Sequence, residues 1–493
     1  MNETSSPLGT TPPPRSRKIV WWIVFVLVAV NFAILLRVFW PAEPSFRGIP
    51  ISRWIERSNP TLRHEPVNVF GTNAVPYLLE ALERKKSRLN GTAWKFWLKL
   101  PASTQKKLVW FKPLDVEACR SAAVNWLLEL GPDARAAVPR LIELALHSSN
   151  PAIASRAVSL LGVVGANSPG AFAALDQLLK QRDPKTQEAI ALSISCFGSK
   201  AAEAVPELLQ IAQTNANPKA FYAVTALGAI GPAAAPAVPW LATMLNDDDF
   251  QDYALGALEN IGPAAAPALP QLLPLLEGKH PGLKVRALQV ILRLGPAARA
   301  AAPQLEKVVR DSEGVPRILA AVALDKIQNQ PAAAVVSAEL HRTIPTPGKE
   351  TEMLQPEVFW TIQLPNPVSA LPGSFGLGAR ETASWFLAEL GPPAAGALPD
   401  LRFELQKGTH WGKVIAARAI WRITNDPAPA LPVLREDLFS DEDYEFQMAA
   451  LVLKEIGDGA KPARPWLEDF VRQTKRPWSR IRQVREILSA LGG

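Results

Sequence analysis

The residue types that most often bind metals or catalyse reactions are sparse in this sequence. The chain has five histidines, which are His64, His147, His280, His341 and His410. None of them has a cysteine, aspartate or glutamate at metal-ligand spacing along the chain. The acidic run at residues 247–249 lacks the glycine and the distal glutamate of a calcium-binding loop, so we expect a solvated turn there. The sequence therefore predicts no metal ligands.

Enzyme motifs are also missing from the sequence. There is no GxSxG nucleophile motif, no phosphate-binding loop and no dinucleotide-binding fingerprint. The two cysteines, Cys119 and Cys196, fall in alanine-rich helical stretches, which predicts buried structural thiols and no disulfide framework. We therefore expect no catalytic residue and no cofactor, and a protein that is not an enzyme.

Residues 84–112 form the most unusual segment, with nine basic residues and no acidic ones. Aromatic residues are interleaved with this charge, a pattern that suits anionic lipid headgroups and also single-stranded nucleic acid. A third interpretation is that the aromatics close the end of a helical array while the lysines keep that end soluble. The candidates for contact with an anionic surface are Arg84, Lys85, Lys86, Arg88, Trp94, Lys95, Trp97, Lys99, Lys106, Lys107, Trp110 and Lys112.

The length and composition of the chain indicate what kind of fold holds these residues. A chain of 493 residues is too long for one compact core, so it forms either several domains or one elongated array. Its 46 prolines would be typical of disorder, but 48% of its residues are hydrophobic, too many for a chain without a core. The prolines are therefore expected at regular positions. A formal charge of +7 permits contact with phosphates or anionic lipid without requiring it.

A phrase repeated along the chain places those prolines. It consists of an apolar run, Gly-Pro, a stretch of small residues, and then an apolar residue, proline, any residue and leucine, as in IGPAAAPALPQL from Ile261. Its glycines stand at Gly131, Gly165, Gly198, Gly231, Gly262 and Gly295, in steps of 34, 33, 33, 31 and 33 residues. Such a period indicates a solenoid of repeated helical units.

Each part of the phrase has a physical role. The glycine supplies the left-handed position that ends one helix, and the proline after it cannot continue that helix. Prolines such as Pro239 and Pro270 are tolerated in the first turn of the next helix, where the missing N–H has no acceptor. The pattern predicts two helices per repeat, with each pair stacked on the next around a continuous core.

These features resemble the HEAT-repeat family, in particular its short, phycobilin-lyase-like variant. Val285 and Arg286 match the Val-Arg pair that opens the second helix of that family, and residues 118–131 follow its alanine pattern. The resemblance implies an all-α fold, a right-handed α-solenoid of HEAT-like helix pairs. The family's ladder of charged residues along the inner face is incomplete here, since Gln187 and Tyr253 stand near expected basic positions. No binding specificity is therefore carried over.

An apolar run near the N-terminus predicts a transmembrane helix. Residues 19–40 contain no charge before Arg37 and would span about 33 Å as a helix, enough to cross a bilayer. A cleaved secretory signal is the alternative, but the run is longer than the apolar core of such signals. Arg15, Arg17 and Lys18 precede the run, which favours a cytoplasmic N-terminus with the remainder on the extracytoplasmic, periplasmic side.

The domain plan follows from these segments. It comprises a disordered tail at 1–18, a transmembrane anchor at 19–40, a linker at 41–65, a repeat array at 66–330 with the insertion at 84–112, a proline-rich insertion at 331–375 and a second part of the array at 376–493. One anchor followed by such repeats resembles bacterial membrane-anchored HEAT-repeat proteins. We expect an almost wholly helical chain of ten to eleven helix pairs without strands.

The expected function is that of a membrane-anchored scaffold that binds unidentified protein partners along the groove of the solenoid. Solenoids of this kind present a long concave surface that requires no special residue types. The alternatives are a HEAT-like enzyme of the lyase type and a nucleic-acid-binding solenoid, and neither has a specific motif in its support. Nucleic acid is not favoured as a partner because a protein that acts on nucleic acid has little reason to carry a membrane anchor.

Overall fold

The computed structural model describes residues 43–57, 64–85, 88–107, 115–181, 187–214, 219–278, 280–343, 360–362, 375–473 and 476–492. Its first half contains helices α1 Ile51–Arg57, α2 His64–Phe70, α3 Val75–Glu83, α4 Arg88–Lys99, α5 Ala102–Lys107, α6 Val116–Leu130, α7 Val138–His147, α8 Pro151–Val164, α9 Pro169–Gln181, α10 Gln187–Ser195, α11 Val205–Thr214, α12 Lys219–Ile230, α13 Val238–Met244 and α14 Gln251–Ile261. Its second half contains α15 Leu269–Glu277, α16 Pro281–Leu294, α17 Ala302–Asp311, α18 Val315–Gln328, α19 Ala333–Thr343, α20 Ala379–Leu390, α21 Leu398–Lys407, α22 His410–Thr424, α23 Leu431–Leu438, α24 Asp443–Ile456, α25 Arg464–Arg472 and α26 Trp478–Ala490.

In the described part of the chain the helices form eleven successive pairs. The first pair is α3 with α6, the next is α7 with α8, and the last is α25 with α26. The buried apolar residues of all pairs belong to one continuous core. The expected α-solenoid of HEAT-like helix pairs is confirmed.

The repeated phrase ends most second helices as predicted and adds a feature that the sequence analysis did not predict. Gly131 and Gly262 have positive φ angles of 55° and 68°, and their N–H groups donate to the carbonyl four residues earlier. The small residues after them form a short 3₁₀ helix, such as Gly262–Ala268, which leads into the next first helix. Pro239 and Pro270 lie in the first turns of α13 and α15, where prolines are tolerated.

Two kinds of position depart from this rule. Gly165 has a φ of −94°, so it is not the left-handed cap that the phrase predicts; a Cβ there would lie 2.5 Å from the Cβ of Ala171. Close approach therefore requires that glycine. Two other second helices, α18 and α22, end at Asn329 and Asn425 in the left-handed conformation, which asparagine adopts more readily than most residues.

The second helices line the inner side of the array. Successive second helices contact each other throughout, whereas most neighbouring first helices are less closely packed. A curved layer has its shorter circumference on the inside, so the closely packed layer is the concave one. Each second helix thus has one face toward its own first helix, two faces toward its neighbours, and one face toward the interior.

The array completes one turn, and its two ends meet. The N–H of Trp478 donates to Glu129 Oε1 at 3.0 Å, and its indole N–H donates to Asp133 Oδ2 at 2.9 Å. Arg482 donates to the carbonyl of Leu130, and Asn68 donates to the carbonyl of Arg476. These contacts join the beginning of α26 to the ends of α2 and α6. The last repeat therefore contacts the first.

Both insertions emerge between the first and second helix of a pair, at the same edge of the solenoid. Helices α4 and α5 separate α3 from α6, and two strands, β3 Trp360–Ile362 and β4 Phe375–Leu377, separate α19 from α20. Helix α19 lies inside the range 331–375 that the sequence analysis assigned to the insertion, yet it packs against α20 as a first helix of the array.

The expectation that strands are missing is wrong in detail. Strand β3 pairs antiparallel with β4, and a second short hairpin joins β1 Ser45–Phe46 to β2 Ile49–Pro50. These strands are two or three residues long, so they were too short to show an alternating pattern.

The predicted anchor at 19–40 lies outside the described residues and remains a prediction. Within the described part, one stretch, Ala220–Met244, is long and apolar enough to cross a membrane. It consists of α12, a 3₁₀ helix and α13, and more than half of its most apolar window is buried in the array. Packing within the solenoid accounts for its apolar character.

We predict that Trp478→Ala separates the two ends of the array. The change removes the indole that donates to Asp133 and that lies beside Gly71, 3.4 Å from where a Cβ of that residue would stand. Loss of these contacts should cost about 1 to 3 kcal/mol of unfolding free energy. It should also increase the radius of gyration measured by small-angle X-ray scattering.

Trp466→Ala is the matched control, since Trp466 is a partly buried tryptophan of α25 that packs on the core and makes no hydrogen bond to α2 or α6 within the described residues. It should lower stability without changing the radius of gyration. Equal scattering curves for Trp478→Ala and the unaltered protein would show that the ends stay together without this side chain.

Candidate interaction surface

The inner face is exposed in the first half of the array. The position six residues before the glycine that ends a second helix points into the interior. In four consecutive repeats of this half it is exposed and uncharged, as Asn125, Ser159, Leu192 and Thr225. Large apolar side chains are unusually exposed on this face, with Leu192 at 51%. The inner face of this half is therefore an uncharged surface with exposed apolar side chains, which is typical of a site that binds another molecule.

Three aromatic rings join α12 to α14 on this half. The rings of Phe221 and Tyr253 stack with centroids 4.4 Å apart, and the ring of Phe250 lies 4.7 Å from that of Phe221. Tyr253 remains 46% exposed. Aromatic side chains that are held rigid and left partly exposed are the residues that most often contribute binding energy at interfaces.

Two of the corresponding positions are covered in the second half. Gln289 of α16 and Trp385 of α20 occupy the same place before Gly295 and Gly391, and both are buried. Strand β3 lies against α16, and β4 lies against α20. The part of the proline-rich insertion that the structure describes is thus located at the covered half of the array.

A buried glutamate lies between the open and covered halves. Glu259 of α14 is 2% exposed, and its carboxylate oxygens lie 3.6 Å from Arg286 Nη1 and 4.0 Å from Arg293 Nε. Burial raises the pKa of Glu259 to about 7, although the two arginines oppose that shift. At these distances the guanidinium groups only partly compensate for the lost hydration.

Arginine also connects the repeats of the covered half. Arg418 of α22 donates to Glu389 at 2.6 Å and to Glu455 at 2.7 Å, so it joins the second helices of three successive pairs. Its guanidinium lies 4.0 Å from the ring centroid of Trp385. In this half, charged pairs between second helices therefore serve packing between repeats.

The predicted anionic-surface segment is only partly available for binding. Arg84 donates to Glu56 at 2.8 Å, and Trp97 is buried. Phe96 and Leu98 flank Trp97 on its two sides and are 67% and 69% exposed, and the exposed Lys95 and Lys99 lie on the side of α4 opposite Trp97. Lys85 is exposed as well. An apolar and basic surface remains on α4.

The other predicted contact residues cannot be placed on this surface. Lys86, Trp110 and Lys112 lie outside the described residues, and so do the side chains of Arg88, Trp94, Lys106 and Lys107. Their contact with an anionic surface remains a prediction.

The structure brings together one set of polar residues that the sequence analysis did not connect. His410 Nε2 lies 2.5 Å from Asp437 Oδ1 and 3.3 Å from Glu445 Oε2. Burial raises the pKa of Asp437 to about 7, with the neighbouring carboxylates adding to the shift and His410 opposing it. His410 and Glu445 are about one repeat apart, so the period itself could have placed them on neighbouring second helices.

The two cysteines differ in environment. Cys119 is buried as predicted, but Cys196 is exposed, so the expectation of a buried structural thiol is wrong there. Cys196 follows the last residue of α10, in the turn before Gly198. The run at 247–249 forms an exposed turn, with the N–H of Asp249 donating to Asp247, as expected.

Comparison with known proteins supports the repeat assignment. Residues 138–220 match the family described as HEAT repeats. That match covers α7 to the start of α12, which is two helix pairs and the first helix of a third. No curated protein matches the sequence at a significant level. The match therefore supports HEAT repeats at residues 138–220, while the phycobilin-lyase-like variety and the bacterial, membrane-anchored group remain predictions.

Several solved solenoids are similar to the chain at low identity. Yeast importin-β, Kap95p, is 13% identical with a TM-score of 0.42, over 94% of this chain and 65% of that one. Kap121p is 13% identical with a TM-score of 0.33, over 89% and 53%. A structure from work on a phosphorylation switch that controls the interaction of cadherin with β-catenin is 13% identical with a TM-score of 0.32, over 90% and 100%. Similarity at this level says nothing about shared partners.

We predict that Glu259→Gln changes the pH dependence of stability. Because the pKa of Glu259 is raised from 4.5 to about 7 on folding, its contribution to stability is complete below pH 4.5 and is lost as the pH rises through 7. Relative to the variant, the unaltered protein should lose about 2 to 3 kcal/mol of unfolding free energy between pH 5 and pH 8. Chemical denaturation at both pH values measures this difference.

The control is Glu277→Gln, which alters an exposed glutamate of α15 that pairs with Lys307 at 3.4 Å. Its stability difference from the unaltered protein should be the same at both pH values. A Glu259→Gln variant that also shows no change with pH would mean that Arg286 and Arg293 keep Glu259 ionised throughout.

Proposed function

We propose that this chain is a membrane-anchored scaffold that binds a protein partner along the open half of its inner face and performs no catalysis. The observation that carries the proposal is the contrast between the two halves. Inward positions from α6 to α12 are exposed and uncharged, whereas the corresponding positions in α16 and α20 are buried. A partner therefore has one defined stretch of groove to occupy.

The size of the interior limits what can bind there. Eleven second helices about 9 Å apart make a ring roughly 30 Å across between helix axes, which leaves an interior roughly 20 Å wide. One helix or one extended segment fits such a space. The partner surface that matches Leu192, Tyr253 and their neutral neighbours is apolar or aromatic with few charges.

Membrane anchorage is part of this proposal and rests on the sequence. The uncharged run within residues 19–40 is long enough to span a bilayer, and the basic cluster before it favours an array on the extracytoplasmic, periplasmic side. This arrangement would place the protein with bacterial membrane-anchored HEAT-repeat proteins. Because the solenoid begins soon after the anchor, its groove would lie near the membrane surface.

A second proposal concerns the exposed face of α4. Phe96 and Leu98 are strongly exposed next to Lys95 and Lys99, which combines insertion of apolar side chains with attraction to anionic headgroups. Arg84 is not part of this surface because it pairs with Glu56. The segment would hold the first repeat against the bilayer that contains the anchor.

We predict that a photo-crosslinking amino acid at Thr225 in native membranes captures a protein partner, and that Leu192→Asp abolishes this capture. The two positions face the interior on neighbouring second helices, and a buried charge disrupts an apolar contact. Capture is detected as a shifted band on a denaturing gel and identified by mass spectrometry.

The same crosslinker at Gln271, an exposed residue of the first helix α15, is the control and should capture nothing specific. Equal capture at both positions, or capture that persists with Leu192→Asp, would contradict binding along the open half of the groove.

We predict that Lys95→Gln with Lys99→Gln weakens binding to anionic vesicles about 30-fold, since each basic side chain near such a surface contributes about 1 kcal/mol. Co-sedimentation of a form lacking residues 1–42 measures the effect at low salt, where screening is weak. The matched control changes Lys307 and Lys461, two exposed lysines elsewhere, to Gln and should bind normally. If the α4 variant binds as well as the control, α4 acts as a cap of the array.

A further inference from the structure

Three metal-binding side chains converge at one edge of the array, from three different helices. His410 is the first residue of α22, Asp437 lies near the end of α23, and Glu445 lies in the first turn of α24. One donor atom from each lies within 4.8 Å of the other two. Among the described residues this is the one group of three or more such side chains. Their convergence depends on the stacking of two neighbouring repeats.

The aspartate of this group is poorly satisfied by the protein. The side chain of Asp437 is fully buried, and neither of its oxygens has a hydrogen-bond partner in the described part of the structure. The Nε2 of His410 also has no hydrogen bond of acceptable geometry, although it is close to that carboxylate. A buried carboxylate without donors is costly, so such groups usually pair with a cation or bind a metal.

We propose that His410, Asp437 and Glu445 bind a first-row divalent cation, with Zn²⁺ as the best match. One imidazole nitrogen and two carboxylate oxygens form a donor set that zinc accepts, and three protein ligands leave a fourth position for water. Zinc bonds of about 2.0 to 2.2 Å place tetrahedral ligand atoms roughly 3.4 Å apart, close to the 3.3 Å between His410 and Glu445.

The remaining separations require only side-chain adjustment. His410 and Asp437 are 2.5 Å apart and must move apart by about 1 Å for both to bind one zinc ion. The imidazole is 38% exposed, so it has room to rotate away from the buried carboxylate. The stacked rings of Trp411 and Tyr444, 5.4 Å apart, join the same two second helices beside the site and hold their spacing.

Bound metal would link the last repeats of the array. The ligands belong to the pairs α21–α22 and α23–α24, so the ion would fasten one repeat to the next. Because the ligands come together only in the folded chain, metal binding should raise the thermal stability of these repeats. Binding should also weaken at acidic pH, since the ligands must lose their protons.

The test is titration of the purified, chelator-treated full chain with Zn²⁺ by isothermal calorimetry. One ion should bind per chain, and the melting temperature should rise. Asp437→Asn and Glu445→Gln should each weaken binding at least about 100-fold, beyond the 10- to 100-fold typical of residues that only support a ligand. Co²⁺ should give a visible absorption spectrum with the unaltered protein and lose it with either variant.

Asp400→Asn is the matched control, because Asp400 pairs with His341 at 3.1 Å at a place with no third donor of this kind in the described residues. It should bind Zn²⁺ normally. If Asp437→Asn fails to fold, Glu445→Gln decides, since that side chain is less buried. Absence of stoichiometric binding, or unchanged affinity in Glu445→Gln, would overturn the proposal and leave three polar side chains that contact each other without a metal.

Discussion

The close approach of neighbouring second helices determines the shape of the whole molecule. A Cβ at Gly162 would lie 2.9 Å from the Cα of Ser193, and one at Gly228 would lie 3.0 Å from the Cα of Ala257. These helices thus approach so closely at these points that only glycine, facing a small residue, fits there. Close packing on the inner side with wider spacing of the first helices bends the array until its ends meet.

The terminal repeats of a solenoid need protection from water. In this protein the closure of the array provides part of that protection. Here the beginning of α26 covers the ends of α2 and α6, and Trp478 contributes both apolar contact and two hydrogen bonds to carboxylates. Closure after one turn also leaves a narrow interior. A closed turn of this radius favours a narrow partner over the large surfaces that open solenoids bind.

The interior is divided by an element of the chain itself. The hairpin β3–β4 lies beside α16 and α20, where Gln289 and Trp385 are buried, and the arginine network around Arg418 stabilises the same region. The first half retains exposed Leu192 and Tyr253. One half of the array has a covered inner face and the other has an accessible inner face. The two halves can therefore bind differently, which identical repeats alone would not allow.

The sequence by itself determined that the chain folds into ten to eleven helix pairs and where many of them end, because glycine and proline act locally at Gly131, Gly262 and Pro270. It also marked both insertions, since each lengthens the period. Only the tertiary structure decided that Trp478 meets Asp133, that Arg84 pairs with Glu56, and that His410 lies beside Asp437 and Glu445. These contacts depend on the rotation from one repeat to the next. Small rotations add up over eleven pairs, and no local pattern of residues specifies their sum.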